Sequence, residues 1–221
     1  MKHHGGPEPG GRELLVRVLH VGAMEACCYL AGEKNGEGIV IDPGDEADRI
    51  AEAAKLMGLA VKYIICTHGH ADHIAGLEKL RAGLPDAKVA IHADDAEMLE
   101  RPSLNLSLFL GGSIKCKPAG LLLHDGDTFD VAGLQMKVIH VPGHTPGGIC
   151  LHFPAANVLF SGDVLFAGGI GRTDFPGGNT DLLLAGIAEK LLVLPPQTAV
   201  YPGHGPGTTI GAEKETNPFL S

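Results

Sequence analysis

Three imidazoles and one carboxylate fall within six residues of the chain, at His68, His70, Asp72 and His73. They follow directly after the apolar run 61–66. Hydrated turns are built from Asn, Ser and Gly, and cores from aliphatic side chains, so neither solubility nor packing explains this density. Imidazole nitrogen and carboxylate oxygen together suit zinc, iron or manganese. Four such groups on one short turn cannot all point at one centre, so they also suit a pair of ions.

The same arrangement recurs at three later places in the sequence. Each is an apolar run, then a tight turn with glycine, then one side chain able to bind a metal: His144, Asp163 and His204. Ligand sites tend to lie beyond strand ends, where loops from several strands converge. Any one of these residues alone would be interpreted as a turn residue. Together with residues 68–73 they predict a metal site, and the number of ligands suits two ions.

The remaining histidines are given ordinary roles. His140 falls in register with the apolar positions of its predicted strand, which indicates a core or supporting histidine. The others are interpreted as turn histidines: His20, His92, His124 and His152.

Apolar periodicity predicts the elements that position these side chains. Strands are expected at 14–19, 27–31, 38–41, 61–66 and 88–91, with helices after Asp45, after His73 and at 94–100. A β meander of five strands is expected over 121–160, then a helix over 181–192, a strand at 199–201 and a helical turn at 212–216. Segment 101–119 has no clean period, which leaves open whether it covers a substrate or is a packed connection.

Composition limits the classes of partner. A net charge of −9 argues against nucleic acid or an anionic membrane, and no apolar run reaches the about 18 residues needed to span a bilayer. The odd number of cysteines, five, without a C-x-x-C pair favours a reduced, cytoplasmic setting. Residues 1–12 lack the apolar stretch of a signal peptide and are predicted to form a flexible tail.

The sequence resembles the metallo-β-lactamase superfamily and, within it, the glyoxalase II-like hydrolases. The motifs that carry the resemblance are T-H-x-H-x-D-H at 67–73, P-G-H-T-P-G at 142–147, S-G-D-x-L-F at 161–166 and P-G-H-G-P-G-T-T at 202–209. The ending E-x-x-x-N-P-F at 213–219 is similar to that of the small bacterial members. The resemblance implies an α/β fold, a four-layer αββα sandwich with its metal site at one edge of the sheets, formed by a single domain over 13–221.

The resemblance also implies a division of the ligands between two divalent ions, with zinc expected and iron or manganese as alternatives. The first ion would be held by His68, His70 and His144, and the second by Asp72, His73 and His204. Asp163 would bridge both, and Asp72 and Asp163 are also assigned as the catalytic residues. An acid at 163, where antibiotic-hydrolysing relatives often have Cys or Ser, points away from a lactamase.

The activity that the resemblance implies is hydrolysis of a thioester such as S-lactoylglutathione by a metal-bridging hydroxide. The expected partner is a small thioester or glutathione conjugate, and the sequence does not fix the oligomeric state. Residues 169–175 correspond to the family's glutathione loop, which has Lys and then Tyr; this chain has Arg172 and Asp174. Arg172 is predicted to bind a substrate carboxylate, or else to form an ion pair with a neighbouring acid.

The alternative function is an iron-dependent persulfide dioxygenase acting on glutathione persulfide. Those enzymes use one iron and oxygen, and they share a cluster similar to 67–76 and a G-R-T-D-F loop similar to 171–175. The ending P-G-H-G-P-G-T-T-I-G at 202–211 is more similar to that of the compact hydrolases, which favours hydrolysis.

Overall fold

The computed structural model describes residues 13–109 and 111–220. The predicted tail, residues 1–12, lies outside the described residues. Among the residues described, no helix has both the length and the apolar character needed to cross a bilayer. All five cysteines are buried free thiols.

The first sheet contains six strands that lie side by side in chain order. They are β1 (Leu15–Val21), β2 (Ala26–Gly32), β3 (Glu37–Ile41), β4 (Ala60–Ile65), β5 (Lys88–His92) and β6 (Leu121–Leu123). The first three strands are antiparallel, and β3 to β6 are parallel. The carboxyl ends of β3, β4, β5 and β6 therefore meet at the same edge.

The second sheet also has six strands, in the order β14-β13-β10-β9-β8-β7. They are β7 (Thr128–Val131), β8 (Leu134–His140), β9 (Ile149–Phe153), β10 (Val158–Gly162), β13 (Ala199–Pro202) and β14 (Thr208–Thr209). A separate two-stranded ribbon is formed by β11 (Leu165–Phe166) and β12 (Gly169–Ile170). Strand β10 runs parallel to β13, so the residues that follow these two strands are neighbours.

The predicted five-stranded meander over 121–160 is wrong in its first strand. Strand β6 pairs with β5 in the first sheet, with Ala90 opposite Leu121, and the chain crosses to the second sheet between Leu123 and Thr128. Three apolar residues indicate a buried strand but carry no information about which sheet they join.

The helices lie at α1 (Ala47–Met57), α2 (Ala71–Ile74), α3 (Leu77–Gly83), α4 (Thr180–Gly186) and α5 (Ile210–Thr216). A π-helical segment, Ile187–Leu191, continues α4, and 3₁₀ segments cover Ala93–Leu99 and Pro154–Ala156. The single helix predicted after His73 is two helices, separated at Ala75 and Gly76. A Cβ on Gly76 would lie 2.9 Å from the carbonyl oxygen of Pro43 and 3.0 Å from that of Asp45, so the break lets the chain pass close to the turn after β3.

Three apolar clusters show how the elements are layered. Alternate residues of β2 face opposite ways: Cys28 and Leu30 pack with α1 and α3, whereas Tyr29 and Ala31 pack between the sheets. The outer face of the second sheet packs against α4, the π-helical segment and α5 in the same manner. The order helix, sheet, sheet, helix confirms the predicted α/β fold class and the four-layer αββα sandwich.

We expect the outer helix layer to depend on Leu183 of α4, which is fully buried against the second sheet. Leu183→Ala should lower the free energy of unfolding by about 2–5 kcal/mol, because it removes buried methyl groups and leaves a cavity. Leu182→Ala is the matched control, since that side chain is 51% exposed, and it should change stability by less than about 0.5 kcal/mol. Denaturant unfolding of both variants measures this, and equal effects would contradict the layered packing.

Candidate metal centre

Four strand ends deliver the predicted ligands to one edge of the sandwich. Residues 67–73 follow β4, His144 follows β8, Asp163 follows β10 and His204 follows β13. Strand β4 belongs to the first sheet and the other three to the second. The site therefore lies where the edges of the two sheets meet, as the sequence predicts.

The donor atoms fall into overlapping groups of three. Within each group, one ligand atom per residue lies within 4.8 Å of the others. The groups are His68, His70 and His144; Asp72, His73 and His204; and His68, His73 and Asp163. The first two have the same members as the two expected ligand sets, and Asp163 joins one member of each. The structure brings all seven side chains together, and their roles as ligands remain predictions.

Two buried donor atoms show that this set suits cations. Among the described residues, Nε2 of His68 and Oδ1 of Asp163 have no hydrogen-bond partner. Elsewhere ring nitrogens approach each other: Nδ1 of His70 lies 3.0 Å from Nε2 of His144, and Nε2 of His73 lies 3.3 Å from Nε2 of His204. Buried polar atoms are normally paired, so these two atoms and the closely spaced ring nitrogens are suited to a positively charged partner. Imidazole and carboxylate donors fit divalent zinc, iron or manganese at this point.

The pKa values of the histidines depend on how close each ring lies to a carboxylate. Burial alone would lower the pKa of His73, but Asp163, Asp42 and Asp72 together raise it to about 10. A hydrogen bond with Asp72 raises the pKa of His204. Burial lowers the pKa of His70 to about 3, and the neighbouring imidazoles add to this effect. Protonation is thus favoured on His73, between the carboxylates, and disfavoured on His70, whose neutral ring keeps a lone pair that can bind a cation.

Asp42 supports the cluster and was not identified from the sequence. It is 1% exposed, and its carboxylate accepts hydrogen bonds from the Thr67 amide at 2.7 Å and the Thr67 hydroxyl at 2.7 Å. Its Oδ2 also lies 3.1 Å from Nδ1 of His73, which orients that ring with Nε2 toward the site. The signal was present, because Asp42 follows the apolar β3 just as the predicted ligands follow their strands.

Asp95 ties together two of the ligand loops and was also missed. This fully buried carboxylate accepts hydrogen bonds from the Gly69 amide at 3.1 Å, the Thr145 hydroxyl at 2.7 Å and the Gly147 amide at 2.6 Å. Gly69 lies in the loop after β4, and the other two residues lie in the loop that carries His144. No local pattern marks Asp95, because its partners are distant in the sequence.

Close backbone approach requires glycine at 203. A Cβ built on Gly203 would overlap Oδ1 of Asp163 and lie 2.8 Å from Cε1 of His73. The Gly203 amide donates to the Gly162 carbonyl at 2.8 Å, and the Gly203 carbonyl accepts from the Cys27 amide at 2.7 Å. Both sheets thereby fix the loop that presents His204.

A cavity of about 440 Å³ opens directly over the cluster. Its floor is formed by His70, Asp72, His144, Asp163 and His204, and its apolar walls by Met24, Leu106, Phe109 and Phe175. Two of the wall residues come from segment 101–119, so this segment covers the cavity. The same segment is also a packed connection, because Cys116 is buried against the helices of the first sheet.

Arg172 lies at the rim of this cavity and is already paired. Its Nε and one terminal nitrogen donate to the two carboxylate oxygens of Asp174, each at 2.7 Å. Its guanidinium also lies 3.8 Å from the centre of the Phe175 ring. The backbone carbonyl of Arg172 accepts from Nδ1 of His144 at 2.8 Å. The structure thus contains the ion pair considered from the sequence, while the predicted role in binding substrate remains a prediction.

Comparison with known proteins identifies a family whose model matches most of the chain. The model of the metallo-beta-lactamase superfamily matches residues 23–204. The probable metallo-hydrolase YqgX of Bacillus subtilis (strain 168) is 38% identical over 206 residues, which are 93% of this chain and 97% of the relative. The hydroxyacylglutathione hydrolase GloC of Haemophilus influenzae is 35% identical over 214 residues, covering 93% and 98% of the two chains.

Three solved structures of similar fold come from proteins with different names. The B3 metallo-beta-lactamase BLEG-1 is 38% identical with a TM-score of 0.89, covering 94% of this chain and 100% of its own. TTHA1623 in a di-iron-bound form is 36% identical with a TM-score of 0.82, covering 92% and 100%. ETHE1 from Myxococcus xanthus is 29% identical with a TM-score of 0.75, covering 92% and 83%.

We expect Asp95→Asn to loosen both ligand loops. The amide retains one acceptor oxygen and turns an NH₂ group toward an N–H or O–H donor, so stability should fall by about 1–3 kcal/mol. The same change at the exposed Asp86 is the control and should be nearly neutral. Denaturant unfolding compares the two variants. An Asp95→Asn protein as stable as Asp86→Asn would show that the Asp95 hydrogen bonds do not stabilise the two loops.

Proposed function

The chain belongs to the metallo-beta-lactamase superfamily, and we propose that it is a binuclear metal hydrolase that cleaves thioesters. The observation that carries this proposal is the chemistry of the cavity lining. Among the described residues that line it, the titratable side chains are the five proposed ligands on the floor and the paired Arg172. The cavity thus offers metal ligands and apolar walls, with no additional acid to protonate a leaving group.

The proposed ligand sets follow the groups of donor atoms. His68, His70 and His144 would hold one divalent ion, and Asp72, His73 and His204 the other. Oδ1 of Asp163 lies 3.5 Å from Nε2 of His73, and its Oδ2 lies 3.6 Å from Nε2 of His144. The same Oδ2 lies 3.8 Å from Nε2 of His204. Because this carboxylate lies between the two sets, Asp163 is the proposed bridge. When bound, such a pair of ions lowers the pKa of a water from about 15.7 toward 7 and polarises a carbonyl oxygen.

The side chains around the cavity would position the substrate and exclude water from it. Met24, Leu106 and Phe109 form an apolar mouth in which the carbon chain of a thioester can pack beside the floor. Asp42 and the Arg172 carbonyl hold the rings of His73 and His144, so the carbonyl of the substrate meets a fixed set of donors.

Thioesters differ from other acyl compounds in whether the leaving group must be protonated. In hydrolysis a water releases a proton to solvent, its oxygen forms a bond to the carbonyl carbon and the carbon–sulfur bond breaks. The sulfur departs as a thiolate, whose conjugate thiol has a pKa of about 8.5, and it needs no acid. An amine leaving group, as in a β-lactam, would need a proton that the cavity lining does not readily supply.

S-Lactoylglutathione is the specific substrate that we propose to test first. Its support is the similarity to the Haemophilus influenzae relative, a hydroxyacylglutathione hydrolase. A small thioester of this kind also fits a cavity of about 440 Å³ at the lower end of the size range of ligand sites.

A persulfide dioxygenase is the second candidate. The likeness to ETHE1 from Myxococcus xanthus favours it, together with the G-R-T-D-F loop at 171–175. Against it stands the ending P-G-H-G-P-G-T-T-I-G at 202–211, which is more similar to that of the compact hydrolases.

We expect the chain to retain close to two zinc, iron or manganese ions after dialysis against a weak chelator. Asp163→Ala should reduce binding at both positions, because the bridge is shared, whereas His204→Ala should leave about one ion in the first set. Metal analysis of the dialysed proteins measures this, with His152→Ala, which changes a histidine outside the cluster, as the control. Equal losses in the Asp163 and His204 variants would refute the bridging role.

A panel of substrates distinguishes the candidate activities. With both metals bound, the protein should release thiol from S-lactoylglutathione, detected with a thiol reagent, and should show little hydrolysis of a β-lactam. It should not consume oxygen when glutathione persulfide is added. A protein with one iron that consumes oxygen on the persulfide and leaves the thioester intact would replace the hydrolase assignment with the dioxygenase.

A further inference from the structure

A second cluster of imidazoles lies outside the proposed centre. His92 ends β5 in the first sheet and His140 ends β8 in the second, so the cluster spans both sheets. The two rings are stacked, with centres 3.9 Å apart and planes inclined by 20°. The ring of His124 is 6.1 Å from that of His92. The interpretation of His92 as a turn histidine is wrong, because His92 is buried at the end of β5 and stacks on His140.

The cluster presents ligand atoms within a short distance of one another. His92, Asp94 and His140 each offer one, and the three atoms lie within 4.8 Å of each other. Nε2 of His140 is 2.8 Å from the Pro146 carbonyl oxygen, which can only accept a hydrogen bond. A neutral His140 ring therefore carries its proton on Nε2 and leaves the lone pair on Nδ1 for another partner.

The other two groups are an imidazole and an exposed carboxylate. Burial lowers the pKa of His92, and the neighbouring His140 adds to this effect, so the neutral ring is favoured. Its Nδ1 accepts a hydrogen bond from the Asp94 amide at 3.3 Å, which an ion at that atom would replace. Oδ2 of Asp94 lies 3.7 Å from Nδ1 of His92. The Asp94 side chain is 58% exposed and is free to rotate onto an ion. An imidazole pair with one carboxylate is a donor set that zinc and similar divalent ions accept.

The surroundings carry charges of both signs and connect the cluster to the main centre. Asp127 lies beside His124, with 3.8 Å between its Oδ2 and Nδ1 of that ring. Asp125 accepts hydrogen bonds from the His140 amide at 2.8 Å and from Nζ of Lys190 at 2.8 Å, and Nζ of Lys190 also donates to the His140 carbonyl at 2.8 Å. Pro146, which accepts from His140, lies in the loop that carries His144. An ion at His140 would therefore be one hydrogen bond away from a loop of the main centre.

We propose that His92, Asp94 and His140 form a peripheral binding site for a divalent transition-metal ion such as Zn²⁺, distinct from the seven-ligand centre. Nitrogen lone pairs lie in the planes of the rings, so nearly parallel stacked rings cannot both point at one ion. Binding must rotate the rings out of their stack. This rotation gives the site a spectroscopic signature that is independent of enzyme activity.

The test is an equilibrium Zn²⁺ titration of the metal-loaded full chain. His3 and His4 are replaced by alanine in every sample, so that the N-terminal segment does not contribute. His92→Phe keeps an aromatic ring in the stack but removes its nitrogen ligands, and His152→Phe makes the same change outside the cluster. The reference protein and His152→Phe should bind one more equivalent of Zn²⁺ than His92→Phe. This extra ion should shift the NMR ring signals of His92 and His140.

Asp94→Asn is the second variant, chosen because its exposed side chain makes loss of folding a poor explanation. It should retain the fold and weaken the extra equivalent, since a neutral amide is a poorer zinc ligand than a carboxylate. Equal zinc stoichiometry in the reference protein and His92→Phe would overturn the proposal. So would ring signals of His92 and His140 that do not move when Zn²⁺ is added.

Discussion

The constraint that shapes this structure is a set of imidazoles and carboxylates buried where the edges of the two sheets meet. His68, His70, His73 and His144 are each at most 5% exposed, and the carboxylates of Asp72 and Asp163 are 16% and 12% exposed. Burying such groups is unfavourable unless each finds a partner. The chain itself partners some of them, through Asp42 and the Arg172 carbonyl. The remaining atoms, Nε2 of His68 and Oδ1 of Asp163 among them, are the ones that a pair of cations would satisfy.

The two sheets and their connecting loops hold these groups in place against their mutual repulsion. Asp95 joins the loops after β4 and β8, while Gly203 joins the loops after β10 and β13 to β2. The buried Asn105 connects segment 101–119 to the same region, because its carbonyl accepts from the Ala71 amide at 2.8 Å. The wall of the cavity and the ligands beneath it are therefore mechanically linked.

Much of the fold could be predicted from sequence, because apolar runs mark buried strands and ligands follow their ends. The sheet to which β6 belongs could not, since three leucines do not encode a partner. The break between α2 and α3 depends on the approach of Gly76 to Pro43, a contact distant in sequence. Asp95 was invisible for the same reason, whereas Asp42 could have been found by applying the strand-end rule to β3. The stacking of His92 on His140 arises only because the two sheets meet.

We propose that the seven strand-end side chains hold two ions, and anomalous diffraction at the zinc edge from zinc-loaded crystals is the direct test. Two strong peaks are expected at this edge of the sandwich, one among His68, His70 and His144 and the other among Asp72, His73 and His204. Both should lie beside Asp163. A peak in only one of these positions, or two peaks that Asp163 does not join, would refute a two-ion centre.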